Sequence, residues 1–290
     1  MSDYTEFQSA TQPATDSDPT TDSAASAASG TGRWVTLDGA VNARDLGGLP
    51  LPRGGATRQR RLLRSDNLQD LSPDDVRRLR DTIGVSDILD LRTTTERTLE
   101  GEAPLDGEPG VTVHHLSLLP RTGDEVREVD GDVLLPWQQD TAAEEVPVEE
   151  SQARSVYTRY LLDRPESVVA ALSTIAHAEG AVVVHCAAGK DRTGVIVALA
   201  LDLAGVARST ILADYLLSGQ RIDAIIDRLS STSTYAANLR GRHRDSHLPK
   251  ATAITDVFAL VDGAGGTEGW LIQHGWRDAD TEALRRRLTR

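Results

Sequence analysis

The chain has 290 residues, 39% of them hydrophobic, which is enough for one large core or two small ones. A single cysteine excludes a disulfide framework and a Cys-rich zinc site, and no run of about 18 apolar residues is present to cross a membrane. The formal charge of -13 sits in two segments, residues 1–32 with five acids and no cation and residues 120–150 with ten acids against Arg121 and Arg127, so the rest is net neutral, and neither segment suggests nucleic-acid binding, which wants a basic face.

Residues 1–32 are rich in Ser, Thr, Ala and Asp, lack periodicity and hold no apolar signal-peptide core, so a disordered tail is expected. The corresponding compartment is a reducing cytoplasm, with signal-less export an open alternative. From 33 to 290 the pattern predicts one α/β domain. RWVTLDG reads as a short strand from Trp34, and NARDLGG (42–48) as loop. RLLRSD (61–66) reads as a strand. Ser72-Pro73-Asp74-Asp75 predicts a capped helix running to Ile83 and stopping at Gly84. Strands follow at 85–92 and 111–118. The acidic segment about 120–150 reads as an insertion, and helices are predicted at 152–162 and 165–178. Ala181–Val184 is a continuous apolar run, as in a strand buried on both faces. A buried helix from Thr193 to Gly205, then helical stretches at 209–218, 221–229 and 281–288, complete the chain. Strands alternating with helices predict a central, mostly parallel sheet flanked by helices.

The chemistry concentrates at His185-Cys186-Ala187-Ala188-Gly189-Lys190-Asp191-Arg192-Thr193-Gly194. A strand ending at Cys186, a five-residue turn and a helix start aim backbone N–H groups at one point beside the sulfur, and such a nest binds a tetrahedral anion. The same field favours a thiolate over a thiol of ordinary pKa about 8.5. The planar fork of Arg192 suits two phosphate oxygens. The residues expected to surround phosphate are Ala187, Ala188, Gly189, Lys190, Asp191 and Arg192, with Cys186 as nucleophile. With so many arginines, Cys-x5-Arg alone is a weak signal. The flanking His185, Gly189, Thr193 and Gly194 make it specific, whereas a buried structural cysteine would need none of them.

HCAAGKDRTG resembles the signature of cysteine-dependent protein tyrosine phosphatases. More narrowly, NARDLGG (42–48), LLRSDNL (62–68), ILDLR (88–92) and ADYLLSG (213–219) are similar to the bacterial dual-specificity phosphatases of the mycobacterial tyrosine phosphatase B type. The likeness spans roughly 33–290 and departs at Ala43, often aromatic in the family, and in the insertion. It implies a tyrosine-phosphatase-like fold with a helical lid at about 219–250. It also implies hydrolysis of phosphate monoesters through a cysteinyl-phosphate without metal or other cofactor. The expected substrates are a phosphorylated protein or a phosphoinositide. A non-catalytic phospho-ligand-binding module is the rival from another class.

The general acid is expected to be Asp191, since the Asp-Arg-Thr ending also resembles myotubularin and Sac-type phosphoinositide phosphatases. Asp90, at the end of its strand, is the alternative, with pairing to Arg92 or Arg44 as its structural explanation. His185 would brace the loop, and Thr193 would hydrogen-bond Cys186 or cap the helix. Only Lys190 and Lys250 among 31 Lys and Arg are lysines, so Lys190 in the loop reads as a contact for a second phosphate or for substrate. His114-His115 has no third ligand in reach and reads as no metal site. The basic run Arg58, Arg60, Arg61 and Arg64 reads as a solvated face. The lid segment carries a net +3, which suits an anionic substrate or equally a solvated helical face.

Overall fold

The computed structural model describes residues 32–119, 127–129, 132–134 and 156–289; the tail and most of the acidic insertion lie outside the described residues. The strands are β1 (Arg44–Asp45), β2 (Leu62–Ser65), β3 (Val85–Asp90), β4 (Thr112–His115), β5 (Arg127–Val129), β6 (Asp132–Leu134) and β7 (Ala181–His185). Five of them form one sheet in the order β1-β2-β7-β3-β4. All pairings in it are parallel except β1 with β2. β5 and β6 form a separate antiparallel pair.

β7 is central because it is apolar on both sides. Val182 and Val184 enter the larger core, and Ala181 and Val183 the smaller one across the sheet. The helices are α1 (Pro73–Arg77), α2 (Thr94–Glu100), α3 (Val156–Asp163), α4 (Pro165–His177), α5 (Asp191–Leu203), α6 (Arg208–Leu216), α7 (Ile222–Ser230), α8 (Ser233–Leu239), α9 (Ala251–Asp262), α10 (Gly266–Ile272) and α11 (Asp278–Leu288). α5 is buried almost throughout and packs against α3, α4, α9, α10 and α11, which is why its sequence is apolar on nearly every face. No helix among the described residues is long and apolar enough to cross a membrane.

Most expected elements form. α1 starts at Ser72 with a reciprocal capping box to Asp75, continues as a π-helical turn over Arg78–Ile83, and stops at Gly84, whose φ of 81° suits glycine. Two expectations are corrected. Trp34 starts no strand and makes only an isolated bridge to Arg44, while NARDLGG, read as loop, supplies β1 through Arg44 and Asp45. Two residues paired to a sheet edge have no alternation to read. Three helices had no counterpart in the sequence pattern, α2, α9 and α10, while α8 lies within the stretch expected as a helical lid. α2 is polar (TTERTLE) and depends on the capping box of Thr93 and Glu96 rather than on an apolar stripe. α9, by contrast, places Ile254, Val257, Phe258 and Val261 at helical spacing, so its signal was present.

Candidate active site

Cys186 follows the last residue of β7 and is 2% exposed. The turn beyond it reaches α5 at Asp191, and its shape is fixed from behind. The Asn67 amide donates to Ala187 O at 2.9 Å, Asn42 Nδ2 to Ala188 O at 2.9 Å, and Arg64 Nη2 to Gly189 O at 2.8 Å. In a trans peptide the N–H points opposite to the C=O. Pinning these carbonyls therefore turns the amides of Ala188, Gly189 and Lys190 away from the scaffold, as an anion nest requires. Gly189 has a φ of 64°, and a Cβ on it would stand 2.3 Å from Ser65 O. Only glycine lets the loop lie this close to β2.

The scaffold is itself gathered by one carboxylate. Asp214 on α6 pairs with Arg33 at 2.8 Å, Arg64 at 3.1 Å and Arg44 at 3.2 Å, all buried. Burial disfavours the charge on Asp214, but the three guanidiniums outweigh it and hold the carboxyl well below the usual range. Burial, then the neighbouring Arg64, lower Arg44 to about 9. Arg44 Nη1 also donates to Asn42 Oδ1 at 2.8 Å. The segments 42–48, 62–68 and 213–219, distant in sequence, thus meet behind the loop. The basic run is corrected here at one position: Arg64 is 1% exposed and holds the loop rather than facing solvent.

Arg192, in the first turn of α5, is held by Glu96 of α2. Nη1 and Nη2 reach Glu96 Oε2 and Oε1 at 2.6 and 2.8 Å. Burial works against the guanidinium charge, yet the Glu96 carboxylate prevails and raises Arg192 well above its ordinary value. Glu96 is fully buried, and its Oε2 also accepts from the Thr93 amide at 2.7 Å. Glu96 and Asp214 were both missed by sequence reasoning. The Thr-x-x-Glu capping pattern at 93–96 was the available signal for the first, and ADYLLSG contains the second.

Asp191 lines the same cavity as Cys186, Lys190 and Arg192, a space of about 350 Å³. Its Oδ1 accepts a hydrogen bond from Tyr157. Asp90 is elsewhere: 2% exposed, it takes Arg92 Nε at 2.9 Å and Nη2 at 2.7 Å, with Arg97 at 3.2 Å. Burial opposes its charge, but His185 and Arg92 outweigh that and hold it well below the carboxylate range. His185 lies with Nε2 3.7 Å from Asp90, and burial lowers it to about 4 against the pull of that carboxylate, so it is neutral at pH 7. Thr193 Oγ1 is buried with no hydrogen-bond partner, so the expected contact to Cys186 is not made. Lys190 Nζ donates to His247 O at 2.5 Å and lies 3.6 Å from Asp191 Oδ1, tying the loop to the turn Arg244–His247.

The segment expected as a cationic lid covers the cavity with an apolar face, Ile222, Ile225, Ile226 and Leu229 of α7 and Tyr235 and Leu239 of α8, while Arg242 and His247 also line it. Several of its other cations are engaged away from the cavity: Arg221 over the Trp34 ring, Arg228 on Asp66 and Asp70, Arg244 on Asp223. His114 pairs with Asp87, and His115 Nε2 meets Arg92 O. Among the described residues no group of three or more His, Cys, Asp or Glu is placed to hold a metal ion.

The family model of the tyrosine phosphatase family matches residues 35–290. A provisionally named tyrosine-protein phosphatase of Cupriavidus necator is 34% identical over 199 residues, 68% of each chain. The triple specificity protein phosphatase PtpB of Mycobacterium tuberculosis is 30% identical over 211 residues, 67% of this chain and 72% of its own. A tyrosine-protein phosphatase of Nostoc commune is 32% identical over 124 residues, 39% of this chain and 40% of its own. With the signature loop seated between β7 and α5 and the match running from residue 35 to the C-terminus, the chain belongs to the tyrosine phosphatase family and is a phosphatase.

Proposed function

We propose that Cys186 attacks phosphorus in line as its thiolate and breaks the bond to the leaving oxygen, which takes a proton from Asp191. The products of this step are a cysteinyl-phosphate and a free alcohol or phenol. Water then attacks the same phosphorus, gives a proton to Asp191, and frees phosphate and thiolate. Arg192 and the amides of residues 187–192 hold the equatorial oxygens and supply fixed positive charge where negative charge is shared. The observation that carries this reading is that Cys186, Asp191 and Arg192 line one cavity. Asp191 is favoured over Asp90 because Asp90 is buried outside that cavity and is locked as a carboxylate by Arg92.

Residues 33–290 act as one phosphatase domain, with 219–250 as its lid. Phosphotyrosine in proteins is the proposed main substrate, because apolar side chains of α7 and α8 that line the cavity with Cys186 suit an aromatic ring. The triple specificity in the name of the PtpB relative supports a range wider than phosphotyrosine, and dual specificity and phosphoinositides belong to the same proposal.

Phosphate release from aryl phosphates in EDTA tests the scheme. Asp191→Asn is expected to lower kcat by roughly 10²–10⁴ on poor leaving groups, and much less when the phenol departs without a proton. Asp90→Asn is the control. A leaving-group-dependent loss at 90 with a uniform loss at 191 reverses the assignment.

A further inference from the structure

Two tyrosines from different helices line up on the proposed proton donor, Tyr157 directly and Tyr215 behind it. Tyr157, in the first turn of α3, donates from Oη to Asp191 Oδ1. Its oxygen lies 3.3 Å from Tyr215 Oη, on α6. The one Tyr157 proton goes to Asp191, so Tyr215 is the donor between the two phenols and the donors run in one direction: Tyr215, Tyr157, carboxyl. Hydrogen bonds aligned this way polarise one another. Burial and then the Asp191 carboxylate raise both phenols, Tyr215 to about 12, so each keeps its proton at neutral pH.

The chain is anchored at both ends. The Tyr215 ring lies against α5 so closely that a Cβ at Gly194 would stand 2.8 Å from it, which accounts for the glycine two residues after Arg192. The Tyr157 ring meets Tyr160 edge-on at 5.9 Å between centroids. The other charged or titratable groups around Asp191 are Lys190, whose Nζ is 3.6 Å from the same Oδ1, and the cavity-lining Cys186, Arg192, Glu96, Arg242, His247 and Tyr160. Tyr157 and Lys190 therefore both address Oδ1.

We infer that Tyr157, backed by Tyr215, is a positioning residue for proton transfer: by occupying Asp191 Oδ1 it fixes the carboxyl rotamer and leaves Oδ2 to carry the proton to the leaving oxygen. This rests on Asp191 being the general acid. A carboxyl without that restraint spends part of its time turned away, and the cost falls only on the step that needs its proton.

The test is a double-mutant cycle read on two aryl phosphates, one with a phenol of high pKa and one with a phenol of low pKa. Tyr157→Phe keeps the ring and is expected to lower kcat about 10-fold on the first substrate, the loss of one hydrogen bond to the carboxyl, with little change on the second and in KM. In the Asp191→Asn background it is expected to change nothing further. Tyr215→Phe follows the same pattern with a smaller loss and serves as the second variant if Tyr157→Phe folds poorly in a thermal melt. Equal losses on both substrates, or an undiminished loss in the Asp191→Asn background, overturn the positioning role while leaving Asp191 as the acid. A uniform loss in Asp191→Asn alone overturns the acid assignment, and the inference with it.

Discussion

Glu96 accepts both terminal nitrogens of Arg192, at 2.6 and 2.8 Å, from a side chain with no solvent exposure. The guanidinium proposed to grip phosphate is therefore aimed from behind by a residue 96 positions earlier. The pairing neutralises part of its charge but fixes its plane, and bidentate recognition depends on the plane.

Glu96→Gln keeps one acceptor and removes the charge. Taking one partner from a buried ion pair costs up to about 3–5 kcal/mol, so a clearly lowered melting temperature is expected. A misaimed guanidinium is also expected to cost about 10²-fold in kcat/KM with weaker vanadate inhibition. Wild-type kinetics in a folded Gln variant count against the positioning of Arg192 by Glu96.

Cys186→Ser removes the sulfur nucleophile and leaves the loop scaffold of Asn42, Arg64 and Asn67 intact. Turnover is expected to vanish while binding of a phosphorylated peptide, read by calorimetry, persists. Since Cys186 is the only thiol, iodoacetate is expected to label one site, with protection by phosphate or vanadate. Activity of more than a few per cent in the Ser variant rules out the assignment.

Gly189→Ala places a methyl 2.3 Å from the Ser65 carbonyl at a φ of 64°. Backbone cannot yield as a flexible side chain does, so the loop must shift. We expect a loss of at least about 2 kcal/mol in urea unfolding and a fall in phosphate affinity larger than any change at a distant glycine such as Gly205. An Ala variant with unchanged stability and affinity contradicts the close approach of loop and β2.

His185 is buried and neutral at pH 7, lowered to about 4 in the folded chain against an ordinary value near 6.5. The unfolded chain binds the extra proton between these values, so stability is full above pH 6.5 and falls as pH drops toward 4, by about 3 kcal/mol from this residue. The carboxylates of Asp90 and Asp214, held below their ordinary range, extend the acid loss further. Urea unfolding from pH 7 to 4 is expected to show a shallower decline in His185→Gln. An identical slope in the two proteins would remove His185 from the titration.

The loop that carries Cys186 was legible in the sequence because its requirements are local. A strand end, a tight turn with glycine and a helix start within nine residues determine where the sulfur, the amides and Arg192 must be. The central strand was legible for a related reason, since an apolar run short enough for a strand and bounded by turn residues has few other homes. Polar α2 carried no such periodicity, and β1 is two residues whose only reason to be extended is the edge they pair with.

The supports of the site were decided by tertiary structure. Arg64 sits in a run of arginines that all look alike in sequence, and only the placement of β2 beside β7 and of α6 behind both turns it inward onto Asp214 and Gly189. Asp90 and Asp191 are equally acidic in sequence, and burial beside Arg92 for one and a cavity wall for the other separates them. Glu96, Tyr157 and Asp214 reach the loop across 96, 34 and 150 residues through Arg192, Asp191 and Arg64. The sequence by itself determined the chemistry, because bonded neighbours are fixed by the chain. Which charges meet in the interior depended on packing, because desolvation and ion pairing act between residues that only the fold brings together.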